Sequence, residues 1–167
     1  MPKISDINDK SPEFMKAIND FVSKPKGFLL LSGKNGNGKT FSAKAIYEAF
    51  WNPQTDNKWW NQADLNMKYQ DVMATYRSSN YLLQTILEAP LLVLDDIGTR
   101  KPSDSFMDFL YVISDKRYNA RHKCGTIITT NLNASSMREM FGDAFVSRVA
   151  SGVCVRHDGP DRRNIEF

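Results

Sequence analysis

The stretch Gly33-Lys34-Asn35-Gly36-Asn37-Gly38-Lys39-Thr40 fits G-x-x-x-x-G-K-[ST] throughout. Glycines at this spacing let the backbone curl until successive N–H groups point at one anion, and a helix opening near Lys39 would aim its positive dipole end at the same place. Lys39 would then reach the β- and γ-phosphates of a nucleotide, and Thr40 would offer its hydroxyl to Mg²⁺. Phe41, the next residue, is counted with this binding segment. The plainer alternative is a Gly/Asn-rich turn carrying an exposed lysine, and the strand and helix expected on either side argue against it.

A second cluster lies in Leu91-Leu92-Val93-Leu94-Asp95-Asp96. An apolar run ending in two carboxylates places them at the carboxyl end of a buried strand, where open α/β sheets bind ligands. Asp95 would complete a Mg²⁺ shell directly or through water, and Asp96 would polarise the attacking water as a general base. Asn131 follows another apolar strand, so its carboxamide would emerge on the same edge, to orient that water or to sense the γ-phosphate. By itself an Asn in that place is a turn residue, and Arg148 and Arg163 read alone as surface arginines.

These groups need a scaffold, and the periodicity supplies one. Short apolar strands are expected at Phe28 to Leu31, Lys58 to Gln62, Leu91 to Leu94, Thr126 to Thr130 and Val153 to Arg156, with helical patterns between them. Ser11-Pro12-Glu13 opens a first helix with Phe14, Ile18, Phe21 and Val22 on one face. Further helices are expected over 40–51, in two pieces over 64–88, and after a Ser103 cap, with Phe106, Phe109, Leu110 and Ile113 as the apolar stripe. Asn133 to Phe141 and Asp143 to Ala150 read as two helices parted by Gly142. The alternation predicts a three-layer α/β domain with a five-stranded parallel sheet, residues 1–26 being an N-terminal segment with one helix and 27–167 the core.

The chain has 167 residues, 41% of them hydrophobic, and a formal charge of +3. No run approaches the ~20 apolar residues of a membrane helix, and the N-terminus lacks a secretory core, so the expected place is the cytoplasm, without a membrane partner. Cys124 and Cys154 read as buried thiols. Zinc held by His122, Cys124, Cys154 and His157 is the weaker alternative, because each pair flanks an apolar strand where Cys is usually a small hydrophobe. Trp51, Trp59 and Trp60 read as core aromatics.

Several segments together, GFLLLSGKNGNGKTFSAKAI, LLVLDDIG, DKRYNARHKCGTIITTNL, FGDAFVSRV and GPDRR, resemble the DnaC/IstB-type helicase loaders, a branch of the AAA+ P-loop ATPases. The resemblance runs from about Phe21 to Arg163. It implies ATP or ADP with Mg²⁺ as ligands, Asn131 as the sensor-1 residue, Arg148 as an arginine finger acting in trans, and Arg163 as a sensor-2-like residue, with Arg162 competing for that role. It implies assembly into a ring or spiral, with single-stranded DNA and a replicative helicase as partners. The loaders' N-terminal helicase-binding domain has no counterpart in the short segment before the core, and no C-terminal lid is expected after Arg163.

By the same resemblance, residues 64–88 are the insertion that contacts DNA. Lys68, Tyr69, Tyr76, Arg77 and Tyr81 would form a stacking groove there, or else a solvated face with half-buried tyrosines. Ile4, Ile7 and Phe14 are candidates for the adenine pocket. Three other functions compete with the loader: an IstB-like transposition helper, a non-catalytic adaptor that decoys a helicase, and a small-molecule kinase. The kinase would want an arginine-rich lid in place of the Thr129-Thr130-Asn131 strand end.

Overall fold

The computed structural model describes residues 1–7, 11–75 and 79–157. Their five strands are β1 (Gly27–Gly33), β2 (Lys58–Asn61), β3 (Leu91–Ile97), β4 (Gly125–Thr130) and β5 (Val153–His157). They form one sheet in the order β2-β3-β4-β1-β5, with every pairing parallel. The helices are α1 (Pro12–Ser23), α2 (Lys39–Ala49), α3 (Gln62–Ala74), α4 (Ser79–Glu88), α5 (Asp104–Asn119) and α6 (Ala134–Val149), preceded by a 3₁₀ turn at Ile4–Asp6.

Strand runs that are apolar at every position must bury both faces, and these do. Phe28, Leu30, Leu92, Leu94 and Ile128 face a core shared with α3 to α6. Their neighbours Leu29, Leu31, Leu91, Val93 and Ile127 face a second core, with Phe14, Ile18 and Phe21 of α1 and Ala43 and Ile46 of α2. The three-layer expectation therefore holds. Gly142 has a non-helical backbone (φ 80°, ψ 159°) within α6, so the span is two helical pieces parted by a kink, as expected.

Three expectations need correction. Trp51 is 55% exposed beyond the end of α2, whereas Trp59 and Trp60 of β2 are partly buried against the cores. Cys154 is exposed while Cys124 is buried. Tyr69 belongs to no stacking groove. It is buried against Phe106 and Phe109, ring centroids 5.6 and 4.8 Å away, because its place on α3 faces the core. Tyr81 is 79% exposed, as a groove would ask, and Tyr76 and Arg77 lie outside the described residues. Ile7 and Phe14 are fully buried in the second core and so are packing residues first.

Candidate nucleotide site

β1 ends at Gly33 and α2 begins at Lys39, so the glycine loop fills the strand-to-helix turn that its motif requires. Gly33 has φ 142°, and a Cβ there would strike the His157 carbonyl and stand 2.6 Å from Asn37 Nδ2. A glycine is thus enforced by close backbone approach. Lys39 is 7% exposed, and its ammonium donates to the carbonyls of Gly33 (2.8 Å) and Lys34 (2.6 Å) and to Asn37 Oδ1 (3.2 Å).

Across the turn, Thr40 Oγ1 donates to Asp95 Oδ1 at 2.9 Å, and Thr129 Oγ1 of β4 donates to the same oxygen at 2.6 Å. The Thr40 hydroxyl and the Asp95 carboxylate form an all-oxygen pair, the hard donor set that Mg²⁺ takes alongside phosphate oxygens. The next residue turns the other way. Asp96 has φ 58°, the only non-glycine with positive φ among the described residues, at a register irregularity between Leu94 and Ile97. Such a conformation is held only by surrounding bonds. Here Asp96 N–H donates to Thr129 Oγ1 (2.8 Å), Thr99 Oγ1 to the Asp96 carbonyl (3.0 Å), and Asn131 Nδ2 to Asp96 Oδ1 (3.1 Å).

Lys39, Thr40, Asp95, Asp96 and Asn131 all line one cleft of about 1040 Å³ at the carboxyl end of the sheet. Gly36, Gly38 and Asn35 line it as well, while Gly33, Lys34, Asn37 and Phe41 do not. Phe41 points outward at 40% exposure, and Asn37 is wholly buried beneath the loop. Arg148 is likewise not a lining residue. Its Nε donates to Asp115 Oδ1 of α5 at 2.7 Å, and its guanidinium lies 4.9 Å from the Tyr111 ring centroid. Arg162 and Arg163 lie outside the described residues.

Sequence reasoning missed four contributors. Thr129 was read only as strand, yet it joins Asp95 to Asp96, and only the register of β4 beside β3 reveals this. Gln62 accepts from Gly98 N–H and donates to the Arg100 carbonyl, both at 2.7 Å, fixing the turn after the two aspartates. Arg100 and Lys101 of that turn also line the cleft. The zinc alternative finds no support in the topology, since Cys124 sits at the amino end of the sheet and His157 at the carboxyl end. Among the described residues no three His, Cys, Asp or Glu side chains are grouped to hold a metal.

The profile of the family described as "IstB-like ATP binding protein" matches residues 8–151. The chain belongs to this family. The IstB-like chain is 30% identical over 141 residues to the uncharacterized protein YdaV of Escherichia coli (strain K12), covering 80% of the chain and 53% of that protein. It thus spans about half the length of that curated relative. A crystal structure of the DnaC helicase loader superposes with a TM-score of 0.75 at 26% identity, over 95% of this chain and 97% of that one. AMPPCP-bound DnaA from Aquifex aeolicus, at 14% identity and a TM-score of 0.78 over 93% and 50% of the two chains, shares the fold. The IstB-like chain is therefore an AAA+ P-loop protein related to the helicase loaders, and among its described residues no helix is long and apolar enough to cross a membrane.

Proposed function

We propose that this protein is a Mg²⁺-dependent ATPase of the helicase-loader type, which uses ATP to assemble on single-stranded DNA or a replicative helicase and releases it on hydrolysis. The observation that carries the reading is the bonded chain Thr40–Asp95–Thr129–Asp96–Asn131 facing Lys39 across one cleft. A phosphate chain in the glycine loop would take the Lys39 ammonium from its loop carbonyls. Thr40 and Asp95 would hold Mg²⁺, which neutralises charge on the phosphates.

Asp96, which lines the cleft from its left-handed turn, would take the proton of a water attacking the γ-phosphate. Asn131, bonded to Asp96, would hold that carboxylate and report the γ-phosphate. Arg148 stands outside its own cleft, which suits a finger offered to the cleft of a neighbouring copy in a head-to-tail ring or spiral. Such a finger is worth ~10³ to 10⁵ in rate, or roughly 4 to 7 kcal/mol of barrier. Arg163 is kept as the sensor-2-like group.

The decisive experiment is ATP hydrolysis as a function of protein concentration, with and without single-stranded DNA, for the wild type and Arg148→Ala. Turnover that rises steeply with concentration, responds to DNA and collapses in the variant supports the reading. Turnover independent of both concentration and Arg148 removes the shared site and leaves a monomeric nucleotide switch or an adaptor. The family match favours one second reading, an IstB-like transposition helper. Capture of a transposase in place of a helicase by the purified protein would select it.

A further inference from the structure

A buried polar cluster lies beneath the phosphate cradle and takes no part in the chemistry above. Asn37, Ser42 and His157 are 0%, 1% and 1% exposed. Both halves of the Asn37 carboxamide are engaged: Nδ2 donates to the main-chain carbonyl of His157, and Oδ1 accepts from the Lys39 ammonium at 3.2 Å. That ammonium also donates to the main-chain carbonyls of Gly33 and Lys34, acceptors that any sequence would supply. Asn37 is the side chain among them, and the only one of the three that a substitution can remove.

Its second partner is equally fixed. His157 ends β5 opposite Gly33, its Nε2 is 3.3 Å from Ser42 Oγ in the first turn of α2, and its ring meets Phe14 of α1 edge-on at 4.5 Å. A Cβ on Gly38 would touch the same ring at 3.8 Å. One residue at the end of β5 therefore braces the loop, α2 and α1 together.

We propose that Asn37 is a positioning residue: it sets where the Lys39 ammonium stands at the rim of the cradle and ties that position to the end of β5. A donor bond to the His157 carbonyl orients the amide so that its oxygen faces Lys39, and polarises it toward stronger acceptance. The cradle's cation is thereby coupled to a strand 120 residues further along the chain. This inference rests on the ATP-binding reading of Lys39 and deepens it.

The test is equilibrium binding of a fluorescent ATP analogue and of the matching ADP analogue, with Mg²⁺, to wild type, Asn37→Ala and Asn37→Asp, alongside thermal melting without nucleotide. Asn37→Ala is expected to weaken ATP binding about three- to tenfold and ADP binding less, since a displaced ammonium loses the γ-phosphate first. Asn37→Asp keeps the shape, puts an anion beside the phosphates and should weaken ATP binding more than about tenfold. Should that variant fail to melt cooperatively, Asn37→Ser, with a hydroxyl able to accept from Lys39, is expected to fall between wild type and Ala.

Variants that melt lower but bind both analogues within about twofold of wild type overturn the proposal, because Asn37 would then only fill space. An equal loss of ATP and ADP binding overturns it too, since Lys39 placement would not be what changed. A wild-type protein that binds neither analogue sinks the ATP-binding reading itself, a distinct result.

Discussion

Among the described residues two lysine or arginine side chains are buried, one at each end of the sheet, and both donate largely to carbonyl oxygens. Arg117 is 1% exposed at the amino end. Its guanidinium donates to Thr126 Oγ1 (2.7 Å), to the Gly125 carbonyl (2.5 Å), and to the carbonyls of Ile86, Leu87 and Ala89 (3.0, 3.2 and 3.0 Å). Burial pushes its guanidinium below the usual arginine range. Those last three carbonyls close α4, where the orphan acceptors and the negative dipole end of a helix favour a cation. Arg117 therefore binds α4, α5 and β4 into one unit.

Lys39 at the carboxyl end is held by the loop that carries it, beside an open cleft. Its acceptors are near in sequence and can be exchanged for phosphate; those of Arg117 are spread over the fold and cannot. Burial of charge alone thus does not mark a functional group. What marks it is whether the partners can be replaced by a ligand.

The contrast is breakable. Arg117→Met keeps the apolar stem but strands several buried carbonyls, and should cost about 3 kcal/mol or more in urea unfolding, with nucleotide affinity of the folded fraction unchanged. If the cost were below about 1 kcal/mol, Arg117 would be no staple. Lys39→Ala is expected to do the reverse, lowering ATP affinity on the order of a hundredfold in a titration while moving apo stability by less than about 1 kcal/mol.

Thr129→Val is a test between the two ends, since Thr129 is buried yet bonded to both cleft aspartates. It should cost about 1–2 kcal/mol of stability and also slow turnover, because Asp96 loses the acceptor that holds its strained backbone. The smallest effect belongs to Asp115→Asn. The Arg148–Asp115 pair is partly exposed, at 24% and 31%, so stability should change by less than about 1 kcal/mol. Arg148 would, however, be released more readily to a neighbouring copy, and the protein concentration for half-maximal turnover should drop about two- to fivefold.

Legibility in the sequence follows the same divide. Lys39, Thr40, Asp95 and Asp96 announce themselves because the spacing of the glycines and an apolar run ending in two carboxylates carry the geometry, even though the bonds that join Thr40, Asp95 and Asp96 are long-range. Arg117 sits in a basic stretch, DKRYNAR, and looks like a solvated helix end. Its one local sign is its position four residues after Ile113, on the apolar stripe of α5. Thr129 and Gln62 act across strand neighbours, and no periodicity reports which residues register brings together. Trp51 departs from its core reading, and Tyr69 takes the buried side of the two readings open to it, for one reason: an aromatic side chain gives composition, while the helix face or helix end decides its exposure.

The position of β1 between β4 and β5 carries a consequence for how the protein is made. Its glycine loop is made well before the strands that flank β1, and the His157 carbonyl that receives Asn37 is at the very end of the later of the two. Such non-local pairings are slow to form and leave strand edges exposed until they do. A chain cut short before β5 would carry the whole phosphate-binding motif and still lack the neighbour that braces it. Released chains truncated before Val153 should therefore lack the nucleotide-protected resistance to protease that chains reaching past His157 acquire.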